Sequence, residues 1–516
     1  MTDVNFYKKY NFVIPFLLFL FLFINGAIGI DFGYHWDEEI FVEQASDSFN
    51  SGVFLPHLYI YPSFCYYLVV FAGGIYKIFN SETPINALLL SSDFYVFIRY
   101  IFLFISSLTV IWVYLLTLKI TKKTFISLFA GLLFCSSFEF CYHSRWAVSD
   151  CIAVQFAFLS TLILFLDTNF KRKIIWSSLV AGIAIGTKYT AGIVCINILF
   201  YIFYDFFNKK EAENSIKELL RFVAFCFIGF IITTPGAICE PFLFAGSLIH
   251  QKNIYSTGHY GYTIQSGFPH FMKIIEYVVF VLFSDMSFVS VSFFILMVLG
   301  IIYIISKKEL HVAVMFATML IYIIFISTFK VMIVRNLLYV FPVFIVVAAL
   351  GFDYLLGLIR KQYVFILKFV FVIFIGFSII SVVSSSISIY NKNKIDYARE
   401  VKNYILKNPD KNFIFSPQIS SLINIKNSNE IILNNSYLIF LKDEISCDKY
   451  IANKRKQFEK VIGVKDINLD YYPTWLGSNR IIIMKNDKSN YVEKLKTVIF
   501  QKQKAEGNIQ DKLSKK

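Results

Sequence analysis

Residues 12–30 read FVIPFLLFLFLFINGAIGI and run directly into DFGYHWDEEIFVEQASD, residues 31–47. The first stretch carries no charge and approaches the roughly twenty apolar residues that cross a hydrocarbon layer about 30 Å thick. It lacks a small-residue cleavage site, so it is expected to be a retained first membrane helix rather than a cleaved signal. The second stretch sets Asp37, Glu38 and Glu39 side by side just beyond that helix. The rest of the chain extends both themes.

The 516 residues are 57% hydrophobic and 19% aromatic, and mean hydropathy is +0.61. A soluble domain cannot hide that much apolar surface, so the chain is expected to be a polytopic, essentially all-α membrane protein. The net charge of +14 lies in short basic clusters between apolar runs and in a Lys-rich tail. That distribution fits membrane topology rather than nucleic acid. The eight cysteines are scattered without a CxxC pair, so neither a disulfide framework nor a structural zinc site is expected.

Because cytoplasmic loops are enriched in Lys and Arg, the clusters serve as a ruler. They fall at Lys8 and Lys9, Lys119 to Lys123, Lys171 to Lys173, Lys209 to Arg221, Lys307 with Lys308, and Arg360 with Lys361. Each interval has room for an out-and-back pair of helices. The loop from Asp31 to Tyr76 has six acids and no Lys or Arg, which places it outside. Residues 174–207 are read as two crossings, with Lys188 in AIGTKYTAG at the tip between them, because a cation at mid-membrane costs roughly 2.5–3.5 kcal/mol. The expectation is about 11 transmembrane helices within residues 1–390, a catalytic first outer loop at 31–94, and a cytoplasmic amino terminus.

From residue 391 the composition shifts to Lys, Asn and Asp, with apolar runs of strand length. Residues 391–500 are expected to form a small extracytoplasmic α/β domain, with a helix over YAREVKNYILKN and strands in NFIFSP, EIILNN and RIIIMKN. Residues 501–516 are expected to be a disordered basic tail.

This topology collects the unusual polar residues on one side of the membrane. They include Asp37, Glu38, Arg99, Arg145, Asp150, Lys188, His259 and Arg335. Carboxylates facing several cations suit transfer of a sugar from a lipid phosphate to a hydroxyl or amine. The acceptor needs a base within hydrogen-bond reach, and the departing phosphate needs Arg or Lys where its charge grows. Neither GxxxxGK[ST] nor a GxGxxG opening a helix occurs, so no nucleotide site is expected. Each residue also has a plainer reading. An acidic exterior loop is commonly just solvated, Arg99, Arg145 and Asp150 suit helix-end charges, and His259 suits an ordinary loop histidine. Lys188 and Arg335 argue more strongly for an anion, since Arg335 opens a helix where a cation opposes the dipole.

The ordered set resembles the GT-C glycosyltransferases that use polyprenyl- or dolichyl-phosphate sugars, the group holding protein O-mannosyltransferases and the lipid A aminoarabinose transferase. HWDEEIFVEQA is similar to that family's first outer loop, and YIYPSFCYYLVV to its juxtamembrane segment. IRYIFLFISSLTVIWVYLL, SRWAVSDCIAVQFAFL, GIAIGTKYTAG and VRNLLYVFPVFIVVAALG resemble later elements in matching order. The resemblance implies that Asp37, with Glu38 beside it, holds the catalytic-base position, and that Arg145, Asp150, Lys188 and Arg335 line the donor-phosphate site. Trp36 where Pro is frequent and the third acid, Glu39, depart from the pattern and leave the base open between Asp37 and Glu38.

The expected activity is inverting transfer of a sugar from a polyprenyl phosphate to a protein, lipid or glycan on the outer face of the plasma membrane. A secondary transporter or lipid-linked-glycan flippase is the alternative; the lack of an internal repeat and the one-sided charges weigh against it. No cofactor is assigned. A divalent metal is left open, with His35, His57 and His143 as its candidate ligands, although no metal spacing is evident.

Overall fold

The computed structural model describes residues 12–32, 36–166, 168–209, 212–258 and 262–393, and strands at 413–415, 437–441, 461–464 and 481–485. Residues up to Asn393 form one unit and those from Lys394 another. The first unit is helical. Its elements are α1 (Val13–Ala27), α2 (Trp36–Ser51), α3 (Phe64–Phe79), α4 (Ile85–Leu89), α5 (Ser92–Ser107), α6 (Thr109–Thr121), α7 (Thr124–Cys135), α8 (Phe138–His143), α9 (Ser149–Phe165) and α10 (Phe170–Ile185). They continue with α11 (Cys195–Lys209), α12 (Ala212–Thr233), α13 (Gly236–Cys239), α14 (Pro241–Thr257), α15 (Phe268–Phe280), α16 (Ser287–Lys307), α17 (Leu310–Ser327), α18 (Val340–Leu358) and α19 (Lys361–Asn393).

Among the described residues, six helical stretches are long and apolar enough to cross a bilayer, at 92–121, 189–207, 287–307, 310–327, 334–358 and 361–391. Val13–Ala27, Phe64–Phe79, Thr124–Cys135 and Ser149–Phe165 are shorter apolar helices. The outer loop expected at 31–94 contains α2, α3 and α4. α7 and α8 are separated at Ser136 and Ser137, where Ser137 caps α8 by accepting from the Phe140 amide.

The core lies around α18, in which every residue from Val340 to Phe352 is buried. A helix apolar on all sides belongs at the centre of a bundle. Two cations of interest sit where spans are interrupted. Gly186 and Thr187 end α10, and Lys188 then precedes a 3-10 turn over Tyr189–Val194 that leads into α11. Just before that break α10 and α12 approach closely. A Cβ on Gly182 would stand 2.1 Å from the Cys226 carbonyl oxygen, so only glycine fits there. Arg335 lies on a second 3-10 turn, Val334–Tyr339, which precedes α18. Pro342 falls in the first turn of α18, where its missing N–H costs nothing.

In the second unit β1 (Phe413–Phe415), β2 (Tyr437–Leu441), β3 (Val461–Val464) and β4 (Ile481–Lys485) form a sheet in the order β1-β2-β4-β3. β1 runs parallel to β2 with Ile414 opposite Leu438, and the other pairs are antiparallel. NFIFSP and RIIIMKN contain β1 and β4. EIILNN, the helix over YAREVKNYILKN and the tail at 501–516 lie outside the described residues.

Candidate active site

The acidic run folds as the first turn of α2, so Asp37, Glu38 and Glu39 all meet the positive end of a helix dipole. Successive helical residues point about 100° apart, which gives the two leading acids different surroundings. Asp37 is buried. Its Oδ2 accepts from Arg335 Nη1, and its Oδ1 accepts from the Tyr61 hydroxyl at 3.3 Å. Burial and the nearby Asp37 charge push the Tyr61 phenol well above its usual range, which keeps it a donor.

Glu38 is fully enclosed at 0% exposure and is occupied. Arg99 donates from Nε at 3.0 and 3.1 Å and from Nη2 at 2.6 Å, and the Ala147 amide donates at 2.8 Å. Arg99 also donates from Nη1 to the Ile30 carbonyl at 3.0 Å and lies 3.8 Å over the Phe32 ring. Burial raises the Glu38 carboxyl above its ordinary value, and Arg99 and the Ala147 amide offset part of that rise. The pair ties α2 to α5 and to the loop ahead of α9.

The second half of the site joins three distant elements. Asp150, in the first turn of α9, accepts from Lys188 Nζ through Oδ1, and its Oδ2 stands 3.8 Å from Arg335 Nη1. Lys188 also donates to Asn336 Oδ1 at 2.8 Å, and Asn336 Nδ2 donates to the Tyr255 hydroxyl at 3.2 Å. Asp37, Arg335, Asp150 and Lys188 thus form one chain of alternating charge, two acids against two cations. Each ionised group is partnered, as a buried charge requires. Among the described residues Arg335 uses only Nη1, which leaves Nε and Nη2 without hydrogen bonds, and Lys188 uses two of its three donors.

Not every residue singled out from the sequence joins this chain. Arg99 contacts Glu38 rather than the four charged residues of this chain. Arg145 is buried and donates to the Gly26 carbonyl at 3.1 Å, to the Asn25 carbonyl at 3.1 Å and to the Ser386 hydroxyl, so it ties the end of α1 to α19. His259 and His35 lie outside the described residues. His143 pairs with Glu139 at 3.2 Å and His57 with Glu240 at 2.5 Å. Among the described residues no group of three or more His, Cys, Asp or Glu side chains is arranged around a metal position. Tyr61, Asn336 and Tyr255 entered the site without being singled out; the only signal for Asn336 was its place beside Arg335.

The Glu38–Arg99 pair yields a stability prediction. Arg99→Met strands a buried carboxylate, and removing one partner of such a pair costs about 3–5 kcal/mol. The protein should therefore melt at lower temperature in detergent, and the double variant Glu38→Gln/Arg99→Met should recover most of the loss. Equal melting temperatures for wild type and Arg99→Met would contradict the role of the pair.

Residues 13–238 match the family described as Dolichyl-phosphate-mannose-protein mannosyltransferase. No curated protein sequence matches the chain. Among solved structures it is similar to ArnT from Cupriavidus metallidurans bound to undecaprenyl phosphate, with a TM-score of 0.50 and 11% identity over 92% of this chain and 98% of that one. It is also similar to the archaeal oligosaccharyltransferase AglB from Archaeoglobus fulgidus, in complex with an inhibitory peptide and a dolichol-phosphate, with a TM-score of 0.50 and 12% identity over 87% of this chain and 71% of that one. At such identities the likeness to the solved structures is one of fold.

Proposed function

We propose that this chain, a GT-C glycosyltransferase acting on lipid-phosphate-linked sugars, uses Asp37 as its base and Arg335 with Lys188 as its phosphate clamp. The observation that carries the reading is the shared guanidinium. Arg335 touches Asp37 and approaches Asp150, which holds Lys188, so base and cations belong to one network.

The acceptor hydroxyl or amine attacks the anomeric carbon from the face opposite the phosphate, and the carbon–oxygen bond to the phosphate breaks with inversion. The acceptor proton passes to Asp37. The bond electrons leave on the lipid phosphate, whose charge rises by one. Arg335 links the two events. As Asp37 becomes neutral it releases Arg335 at the moment the phosphate gains charge, and among the described residues Nε and Nη2 have no hydrogen-bond partner. Glu38 then holds α2 in place through Arg99, and Asp150 with Asn336 holds Lys188. Tyr61 orients the Asp37 carboxylate.

The site faces the outer side of the plasma membrane in this reading, with eleven crossings, a cytoplasmic amino terminus and an extracytoplasmic α/β unit after residue 390. The basic clusters support it, and so does α18. Asn336 stands just ahead of that helix, and Asp353, which pairs with Lys123 at 2.7 Å, lies seventeen residues on. At 1.5 Å per residue that is about 25 Å, close to the hydrocarbon thickness, so the active cluster and the Lys123 cluster lie at opposite faces. The donor is a polyprenyl-phosphate sugar and the acceptor a protein, lipid or glycan. The test is mass spectrometry of envelope glycoproteins and glycolipids from strains carrying wild type or Asp37→Asn. A sugar present with the first and missing with the second supports the reading, and identical products overturn it.

A further inference from the structure

The segment that brings Tyr61 to Asp37 has no regular secondary structure, and His57 within it adopts a left-handed backbone with φ 55°. Such a segment does not hold its own shape. It is held by α14 and the residue that precedes it. Glu240 Oε1 lies 2.5 Å from His57 Nδ1, and Glu240 Oε2 accepts from the Tyr59 hydroxyl. The Ser247 hydroxyl accepts from the Tyr59 amide at 3.0 Å, and Gln251 Nε2 donates to the Ile60 carbonyl at 3.0 Å. Residues 240, 247 and 251 are seven and four apart, so they lie on one face of the helix. Position 255 continues that face by another four.

Tyr255 is the residue there, and it belongs to the other half of the site. Its hydroxyl accepts from Asn336 Nδ2 at 3.2 Å, and Asn336 holds Lys188 at 2.8 Å. The Lys330 amide fixes the end of the helix by donating to the Tyr255 carbonyl at 2.9 Å. One helical face about 22 Å long therefore contacts both halves of the site, at its start through the loop bearing Tyr61 and at its end through Asn336. Glu240, Ser247, Gln251 and Tyr255 all lie beyond residues 13–238, the part of the chain that matches the mannosyltransferase family.

We infer that α14 is a positioning strut, with Glu240 setting the base through the His57–Tyr61 segment and Tyr255 setting the phosphate clamp through Asn336 and Lys188. The inference rests on the assignment of Asp37 as base and of Arg335 and Lys188 as clamp. It predicts that the two ends separate functionally. A strut that merely stabilises the fold would affect binding and transfer together.

The experiment uses the full-length protein in lipid nanodiscs, titrated with undecaprenyl phosphate, alongside transfer measured by product mass spectrometry in cells. Tyr255→Phe should weaken undecaprenyl phosphate binding about fivefold, the worth of one hydrogen bond. Glu240→Ala should leave that binding within about twofold and reduce transfer about tenfold or more, as loss of positioning does. Glu240→Gln, which keeps an acceptor oxygen, should restore most of the transfer. If Glu240→Ala does not accumulate, Tyr59→Phe breaks the same contact from the loop side and carries the same expectation. Unchanged binding in Tyr255→Phe, or equal losses of binding and transfer in both variants, overturns the strut. Arg335→Ala separates the two levels of the account. If it weakens binding while Tyr255→Phe does not, only the strut fails; if neither weakens it, the phosphate assignment fails.

Discussion

Asp37→Asn is expected to lower the rate of sugar transfer by about 10²–10⁴, the usual contribution of a positioned general base. The amide keeps the shape of the side chain; its single oxygen can still accept from Arg335 while its NH2 donates to the Tyr61 hydroxyl, so the α2 turn should remain folded. What it loses is the ability to take a proton. The contrasting variant is Glu38→Gln, whose carboxylate is closed in by Arg99 and the Ala147 amide and has no exposure from which to reach an acceptor. It should cost stability first, with activity falling only as far as the α2 turn loosens. Rates measured on folded protein of both variants decide the assignment. Full activity in Asp37→Asn, or a greater catalytic loss in folded Glu38→Gln, would move the base away from Asp37.

The second large effect is expected at Arg335. Arg335→Ala removes a cation that reaches Asp37 and approaches Asp150 at once, and it leaves the four-residue cluster with two acids and one cation. An incoming phosphate then meets net negative charge. Loss of a charge-assisted contact of this kind costs about 2–3 kcal/mol, so undecaprenyl phosphate should bind roughly 30- to 150-fold more weakly in a native mass spectrometry titration. Arg335→Lys should fall between, because an ammonium keeps the charge and loses the planar fork that serves carboxylate and phosphate together. Unaltered binding in Arg335→Ala would remove this residue from the phosphate site.

Much of the membrane unit could be read from the chain because bilayers impose a simple rule. Apolar runs must be long, and charges within them mark interruptions. Lys188 was legible for that reason, and the break at Gly186–Lys188 lies where the run is interrupted. Partners were not legible. Asp37 and Arg335 are 298 residues apart, and Glu38 and Arg99 are 61 apart. Periodicity cannot say which acid faces which cation across such gaps. The two acids differ only by the 100° step of a helix turn, and that turn was hidden in a segment read as loop. Arg145 shows the same limit. Its spacing from Asp150 fits a donor site, whereas its hydrogen bonds run to the carbonyls of Asn25 and Gly26. The contribution of Tyr61 depends on where an irregular segment lies, and those of Tyr255 and Asn336 on how α14 packs against the turn ahead of α18, which no pattern in the sequence encodes.

With Asp37 deprotonating the acceptor on one face of the sugar and the phosphate leaving from the other, transfer is a single displacement. Once the envelope comparison has identified the transferred sugar, nuclear magnetic resonance of donor and product gives the configuration of the anomeric carbon before and after transfer. Inversion is the predicted result. Retention would mean that an enzyme carboxylate or another nucleophile attacks the sugar first, and would contradict the role of Asp37 as base.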